Sequence, residues 1–343
     1  MPPTPGAADR GDLQRVTITD VAQAAGVSVA TVSKVINSRY GVAAATSERV
    51  QQVIDELGYE SSLVARSLRS HRTNVIGILV AEFEPFSTEI LKGTSRAIAG
   101  TGYELLAYSG GGRSGAVAGW ERRYLSRLSG TLIDGAILVT PTVVETGSQV
   151  PVVAIDPHAG PAHMPTVDSD NFQGAVLATE HLLALGHRRI GFLSGREDLE
   201  SSRLREEGYR TALGRAGVPV DESLVRVGDY RQESATGPAR ELLGLTERPT
   251  AVFAANDLSA IGTMQAAGDL GLSVPRDVSV VGFDNVPESA LTTPPLTTVS
   301  QPMQRMGSEA VTLLIQLMSG TDPIRTHVRL PVELVVRGST ARP

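Results

Sequence analysis

Most of the chain alternates short apolar runs with longer segments of helical pattern, starting at about residue 74. Two of the helical segments are STEILKGTSRAIAGTG and NFQGAVLATEHLLALGH. Short buried strands that alternate with helices are typical of βαβ units and parallel sheets. The alternating pattern continues to the end of the chain. The stretch that it covers is long for a single sheet, so we predict an α/β core with two doubly wound lobes. The apolar runs are VIGILV, YELLAY, GAILV, VPVVAID, RIGFLSG, TAVFAAND and VSVVGFD.

The N-terminal part of the chain has a purely helical pattern. A Thr-x-x-Asp capping signal at Thr17 starts one helix, and Gly26 ends it because glycine readily takes a positive φ. Ser28 then caps a second helix, and a third is predicted over about 46–57, stopped by Gly58. Two short helices joined by a glycine-containing turn predict a helix-turn-helix. The residues predicted to face inward from the first two helices are Ile18, Val21, Ala22, Ala25, Val32, Val35 and Ile36.

The second of these helices, VSVATVSKVIN, carries hydroxyls and a single cation on its outward face. If it entered the major groove of DNA, its N-terminal side chains would face base edges. Lys34 would then reach guanine, and Val29 and Ala30 would pack against thymine methyl groups. The hydroxyls suit phosphate contacts. The alternative is an ordinary helical hairpin packed on the body, but the outward face lacks the hydrophobic stripe which that packing requires.

Charge is spread unevenly over the chain, which has a formal net charge of −6. Residues 15–72 contain seven Arg or Lys and five Asp or Glu, a balance of +2, so the remainder is acidic. A basic module on an acidic body indicates binding to a polyanion combined with a second function. The absence of cysteine excludes disulfides and thiolate metal sites. No export signal and no apolar run of membrane-spanning length is found, so we expect a cytoplasmic protein.

A segment rich in Ser and Arg, SSLVARSLRSHRT, separates the two patterns. A helix this short is marginal in water, so we interpret the segment as a linker that becomes helical. The predicted organisation is a disordered tail over 1–15, a helix-turn-helix domain over 16–60, a hinge helix or linker over 61–73 and a core over 74–343.

These features together resemble the lactose-repressor (LacI/GalR) family of bacterial transcription regulators. The stretch TITDVAQAAGVSVATVSKVIN matches the family's DNA-binding pattern nearly throughout. ERVQQVIDELGY resembles its third helix, and LVARSLRSHRT resembles its hinge helix. The resemblance implies that Leu68, paired with its dimer mate, wedges into the minor groove and kinks the operator. The candidate DNA-binding residues are Thr17, Ser28, Val29, Ala30, Thr31, Ser33, Lys34, Asn37, Ala65, Arg66 and Leu68.

The core resembles the family's effector-binding core, which is similar to periplasmic sugar-binding proteins. The resemblance implies a first lobe of about 74–169 with 299–329 and a second of about 170–298 with 330–340. The candidate effector residues lie near strand ends, where open α/β sheets bind ligands. They are Phe86, Ser87, Asp156, Arg205, Tyr230, Asn256, Asp257 and Asp284.

This set of effector residues suits a hydroxyl-rich molecule. Carboxylates and an Arg fork hydrogen-bond hydroxyls, and an aromatic ring covers the apolar face of a sugar. Each residue also has a structural alternative. Asn256 and Asp257 are equally suited to capping the next helix, Arg205 to a solvated helix surface and Phe86 to the core.

We therefore expect a dimeric repressor of carbohydrate-utilisation genes, released from a palindromic operator by a sugar-like effector. The alternatives are a corepressor-dependent regulator, a solute-binding protein or an α/β enzyme. No phosphate-binding loop, His-Glu-x-x-His motif or nucleophile elbow supports an enzyme, and we expect neither a cofactor nor a metal site. The expected partners are double-stranded DNA, a small effector and a second copy of the chain. We do not expect the protein to bind a membrane. The operator-bound form is expected to be associated with the nucleoid.

Overall fold

The computed structural model describes residues 16–36, 40–59, 72–110, 119–143, 145–161, 164–321 and 323–343. The chain divides into two compact units, 1–71 and 72–343, which are referred to as the head and the core. The predicted tail and the hinge segment around Leu68 lie outside the described residues, as does Asn37. None of the described helices has the length and apolar character needed to span a bilayer.

The head contains three helices around a small apolar centre, as the sequence predicts. Val21, Val32 and Val50, one from each helix, have no exposed surface and form the middle of this centre. Val35 and Ile36 pack against it and are only partly buried. The helices are α1 Ile18–Ala25, α2 Val29–Ile36 and α3 Ala44–Leu57.

The predicted start and stop signals of the head helices are confirmed. The Thr17 hydroxyl accepts the Asp20 N–H at 3.4 Å, and the Asp20 carboxylate accepts the Thr17 N–H at 2.7 Å. Gly26 and Gly58 end their helices with φ of 64° and 61°, in the left-handed region. The predicted start of the third helix is wrong by two residues. It begins at Ala44, after Ala43, a residue that has no side chain with which to cap it.

The described residues of the core form twelve strands in two sheets, with helices between them. The strands are β1 Val75–Val80, β2 Glu104–Ser109, β3 Gly135–Val139, β4 Val152–Ile155, β5 Thr166–Ser169, β6 Ile190–Ser194, β7 Val225–Val227, β8 Ala251–Ala254, β9 Ser279–Asp284, β10 Thr297–Ser300, β11 His327–Leu330 and β12 Glu333–Val335. The helices are α4 Pro85–Ile98, α5 Trp120–Leu128, α6 Asn171–Leu185, α7 Glu200–Arg215, α8 Gln232–Leu243, α9 Asp257–Asp269 and α10 Met303–Met318.

Each lobe of the core is built on one sheet, which confirms the predicted fold class. The first sheet has the order β11-β5-β4-β3-β1-β2, with every pairing parallel. The second has the order β12-β10-β9-β8-β6-β7 and is parallel except for β12 against β10.

Two predicted lobe boundaries need correction. Residues 299–300 belong to the second sheet because β10 continues beside β9, and Leu330 belongs to the first because β11 pairs with β5 up to Ser169.

Helices α4 and α10 pack on each other in the first lobe, and glycines make their close approach feasible. A Cβ atom added at Gly93 would lie 1.9 Å from the Gln304 carbonyl oxygen, and one at Gly307 would lie 2.4 Å from the Ile90 carbonyl oxygen. These distances leave no room for a methyl group. The tight contact fixes α4, whose N-terminal end lies at the candidate site.

Candidate functional site

The exposed face of α2 carries the candidate DNA-binding residues that the structure describes in this helix. Ser28, Val29, Ala30 and Lys34 are exposed, whereas Thr31 and Ser33 are partly buried. The Ser28 hydroxyl accepts the Thr31 N–H at 3.1 Å and lies 2.9 Å from the Thr31 hydroxyl. Ser28 thus caps the helix, as the sequence predicts. The exposed side chains of Val29 and Ala30 form a short apolar patch at the start of the helix, and the Lys34 cation follows one turn later.

Thr17 is also exposed, but its polar atoms serve the capping of α1. Its hydroxyl donates to the Asp20 carboxylate at 2.7 Å, and this hydrogen bond lowers the pKa of Asp20. The other candidate DNA-binding residues, Asn37, Ala65, Arg66 and Leu68, lie outside the described residues.

A cavity of about 590 Å³ opens between the two lobes of the core, and it is called the cleft below. It is bordered by chain segments that follow the strands of both sheets, which is where open parallel sheets bind ligands. The structure brings seven of the eight candidate effector residues to its wall: Phe86, Ser87, Asp156, Arg205, Tyr230, Asn256 and Asp284.

Asp257 is the exception, and its predicted role in effector binding is corrected. Its side chain is fully buried away from the cleft wall. One carboxylate oxygen accepts the Thr298 hydroxyl at 2.5 Å, and the other accepts the Val286 N–H at 2.8 Å. Burial raises the pKa of Asp257, and the charge of Asp284 raises it further. The residue therefore joins α9 to β10 and to the turn after β9.

Asn256 borders the cleft and also caps the next helix, the alternative role that the sequence left open. Its side-chain oxygen accepts the Ser259 N–H at 2.9 Å and so caps α9, while its amide nitrogen donates to the Tyr230 carbonyl oxygen at 2.9 Å. Ser87 also borders the cleft, but its hydroxyl is used within the protein and donates to the Glu82 carbonyl oxygen at 2.8 Å. Ser87 therefore holds the start of α4 in place.

Arg205 is buried at the centre of the cleft wall, with 3% of its surface exposed. Its Nε donates to the Asn171 side chain at 2.9 Å, and its Nη1 donates to the Ala255 carbonyl oxygen. Nη1 also lies 3.5 Å from the Asp284 carboxylate, and the guanidinium carbon lies 3.8 Å from the centre of the Phe283 ring. A planar guanidinium held on several sides presents its remaining donors in a fixed direction.

Asp284 links this arginine to the segment that crosses between the lobes. Its carboxylate accepts the Gln301 side-chain amide at 2.6 Å, and the Gln301 oxygen in turn accepts the Ser169 hydroxyl. Burial raises the pKa of Asp284 to about 6, although Arg205 opposes the shift. Asp156 lies on the first lobe, and burial raises the pKa of this carboxyl also.

Six non-glycine residues at the strand ends around the cleft have φ between 47° and 114°. Such left-handed conformations cost of order 1–3 kcal/mol each outside glycine, and they cluster at functional sites because the surroundings enforce them. Here they turn the chain sharply as each strand ends, which directs polar side chains toward the cleft. The residues are Thr140, Asp156, Asp229, Tyr230, Asp284 and Asn285.

Several polar contacts between described residues join the lobes across the cleft. Glu82 of the first lobe accepts a hydrogen bond from Arg231 of the second at 2.6 Å. His158 of the first lobe lies 3.3 Å from the Asp198 carboxylate of the second, and its carbonyl oxygen accepts the Glu200 N–H at 2.9 Å. Burial lowers the pKa of His158 to about 4, so this side chain is neutral at physiological pH.

Sequence reasoning missed several charged residues of the cleft wall. One of them is Glu84, the residue before α4, where burial raises the pKa to about 7 and the charge of Asp284 adds to the shift. A carboxylate soon after a buried strand and directly before a helix was a usable signal, since this is where the other candidates were sought. The missed ionisable residues are Glu82, Glu84, His158, Arg196, Asp229, Arg231 and Glu233. Among the described residues, no group of three or more His, Asp or Glu is placed to hold a metal ion.

The fold and the cleft define a class: regulators that combine a helix-turn-helix with a two-lobed, periplasmic-binding-protein-like core. Comparison with known proteins agrees on both parts. The family model for bacterial regulatory proteins, lacI family, matches residues 17–62. A periplasmic binding protein-like domain matches residues 179–340.

Individual relatives match the chain over nearly its whole length. The HTH-type transcriptional repressor PurR of Photobacterium profundum is 35% identical over 334 residues, which cover 94% of this chain and 98% of the relative. The lac repressor dimer bound to operator and the anti-inducer ONPF has a TM-score of 0.82 at 30% identity, covering 96% of this chain and 100% of that one. A complex of the transcriptional regulator CelR with cellobiose has a TM-score of 0.70 at 33% identity, covering 95% and 100%. The chain belongs to the LacI family and is a DNA-binding transcriptional regulator.

Proposed function

We propose that this regulator is a homodimeric repressor whose affinity for a pseudo-palindromic operator is set by a small hydroxylated molecule, a sugar or a glycoside, bound in the cleft. The observation that carries the proposal is the convergence of Arg205, Asp284 and Asn256 on one interlobe cavity. The helix-turn-helix on the same chain connects that cavity to DNA binding. Two-fold symmetry of a dimer matches the symmetry of a palindromic site.

The chemistry of the cleft supports a hydroxylated ligand. A sugar hydroxyl both donates and accepts, so it can bridge a carboxylate such as Asp284 and a guanidinium such as Arg205. The Tyr230 hydroxyl lies near Ser201, but it is buried without a hydrogen bond of good geometry among the described residues. A buried hydroxyl without a partner is costly, so a ligand that supplies one gains binding energy. The rings of Phe86 and Tyr230 offer apolar surface to a sugar face.

Relatives of known structure support the same ligand class. One, the CelR complex, contains cellobiose, and a LacI family regulator from Enterococcus faecium contains ribose, at 26% identity and a TM-score of 0.68. A lac repressor structure is bound to ONPG in the repressed state, with a TM-score of 0.80. On this basis the genes under control would serve carbohydrate use.

On the DNA side, α2 is proposed to read bases with Val29, Ala30 and Lys34. Its hydroxyl residues would contact the phosphate backbone, which sets the register of the helix on the duplex. Leu68 is proposed as the minor-groove wedge, with Ala65 and Arg66 beside it. Effector binding would change the lobe arrangement that the paired hinge segments require, and so would act through different affinities for two states.

The test uses a DNA site selected by the purified full-length protein from a random pool. Fluorescence anisotropy then measures affinity for that site with and without each member of a sugar and glycoside panel. The expected results are selection of a two-fold symmetric site and weakening of binding by at least one sugar. Tighter binding on addition of a sugar would establish a corepressor instead. Sequence-blind binding that ignores every small molecule would refute the repressor reading.

Two variants locate the functions within the chain. Arg205→Ala is expected to abolish the response to the effector while DNA affinity survives, since the residue lies in the core. Leu68→Ala is expected to weaken specific DNA binding while calorimetric affinity for the effector is unchanged. Normal effector binding by the first variant, or normal operator binding by the second, would contradict the corresponding assignment.

A further inference from the structure

Among the described residues, the cleft wall carries more negative than positive side chains. Six carboxylates border it: Glu82, Glu84, Asp156, Asp229, Glu233 and Asp284. Three guanidinium groups border it: Arg196, Arg205 and Arg231. The remaining titratable base of the wall, His158, is neutral at physiological pH because burial lowers its pKa to about 4. With all acids ionised, the wall would have three more negative than positive charges.

The three arginines already have protein partners. Arg231 donates to Glu82 at 2.6 Å, and Arg196 donates to both carboxylate oxygens of Asp198 at 2.7 and 3.0 Å. Arg205 lies against Asp284 and is held by other groups of the second lobe. Each guanidinium is therefore at least partly neutralised before a ligand arrives.

Glu84 and Asp156, by contrast, have no ion-pair partner among the described residues. Burial raises the pKa of both carboxyls. The charge of Asp284 raises the pKa of Glu84 further, and the charge of Asp156 raises the pKa of Asp284, whereas Arg205 lowers the pKa of Asp156 and of Asp284. Glu82 also faces Glu84 and raises its pKa, whereas Arg231 acts in the opposite sense. Three carboxyl groups from two lobes thus border the same cavity with raised pKa values, and a cation placed among them would stabilise their ionised forms.

We propose that the effector carries a protonated amine as well as hydroxyl groups, as an amino sugar does, with the amine bound by Glu84, Asp156 and Asp284. The proposal rests on the proposed function and narrows its ligand class. The phosphate of a phosphorylated sugar would be repelled by the excess of carboxylates. The guanidinium groups that could bind it are already paired with carboxylates of the protein. A neutral sugar would leave Glu84 and Asp156 without a direct ion pair among the described residues. The Tyr230 hydroxyl, buried near Ser201 without a hydrogen bond of good geometry among the described residues, is a further polar group that such a ligand could satisfy.

The test compares matched sets that differ in one substituent. The first set is glucose, glucosamine and glucose 6-phosphate, and the corresponding galactose and mannose derivatives form two more. Isothermal calorimetry with the full-length protein at neutral pH is expected to show at least one amino sugar binding about tenfold or more tightly than its parent sugar, the effect of one charge-assisted hydrogen bond. The 6-phosphates should bind more weakly than the parents.

Other outcomes separate this inference from the proposed function. If a neutral sugar binds best and weakens DNA binding, the proposal that the effector carries an amine is refuted. The proposed function as a sugar-responsive repressor is then still supported. If a 6-phosphate binds best, the charge argument itself is wrong. If no amino sugar binds at millimolar concentration, the inference also fails.

A charge-removing variant tests which group recognises the amine. Glu84→Gln keeps the size of the side chain and is expected to reduce the preference for the amino sugar over its parent by about tenfold, since one ionic hydrogen bond is lost. Glu247→Gln, at an exposed residue outside the cleft wall, is the matched control and should leave the preference intact. An unchanged preference in the Glu84 variant would refute the assignment.

Discussion

Removal of the Glu84 charge should stabilise the first lobe in a pH-dependent way. Burial and the charge of Asp284 raise the pKa of Glu84 to about 7 from its ordinary value of 4.5. The folded protein therefore holds this carboxyl protonated at pH values where the unfolded chain has already ionised it. Folding becomes less favourable as the pH rises from about 4.5 to 7, and above 7 the penalty is constant.

The size of this penalty follows from the two pKa values. A difference between 4.5 and about 7 corresponds to at most about 3.4 kcal/mol, at 1.36 kcal/mol for each pH unit. The side chain borders an open cleft and keeps part of its hydration, so we expect Glu84→Gln to gain about 1–3 kcal/mol at pH 8. Below pH 4.5 both states are protonated, and the gain should vanish.

Urea unfolding followed by the fluorescence of Trp120 suits this measurement. Trp120 is the single tryptophan of the chain, and it lies buried at the start of α5 in the first lobe. The free energy of unfolding would be compared between wild type and variant at pH 4, 6 and 8. Glu247→Gln serves as the control and should show no such trend, because the residue is exposed. A gain that is equal at all three pH values, or a loss at pH 8, would refute the reasoning.

Further substitutions test other parts of the structure. Ala43→Ser should raise the free energy of unfolding of the head by about 0.5–2 kcal/mol, because the serine hydroxyl supplies the missing cap of α3. This gain should appear as a higher melting temperature, and an unchanged melting temperature would argue against the assignment. Asp257→Ala should cost about 3–5 kcal/mol in urea unfolding, because it leaves two buried donors unsatisfied, and a cost below 1 kcal/mol would contradict its structural role. Gly93→Ala should destabilise the first lobe by several kcal/mol, as its methyl group would overlap the Gln304 carbonyl, whereas Gly214→Ala, at a helical glycine with no atom nearby, gives the effect of the residue change alone.

Periodicity and capping signals were enough to predict the two-part architecture. The apolar runs correspond to strands of two parallel sheets, and Thr17, Gly26, Ser28 and Gly58 act at the helix ends as their chemistry requires. Such signals depend on neighbours a few residues apart, so a sequence displays them directly. Lobe boundaries were less accurate because they depend on which strand each crossover segment joins.

The cleft was only partly predictable for the same reason. Asn256 and Asp257 are adjacent after one strand and both suit a ligand, yet one borders the cleft and the other is buried against Thr298. Only the packing of α9 on its sheet decides between them. Glu84 was missed because its perturbation comes from burial and from Asp284, a residue far away in the sequence.

The most direct test of the account is whether occupancy of the cleft controls DNA affinity. Anisotropy of the selected, labelled DNA site would be measured over a titration with the effector found by calorimetry, in wild type and in Arg205→Ala. The account predicts that a saturating effector weakens DNA binding by wild type about tenfold or more, while the variant binds DNA normally and does not respond. An effector that fills the cleft without changing DNA affinity, or a full response in the variant, would contradict it.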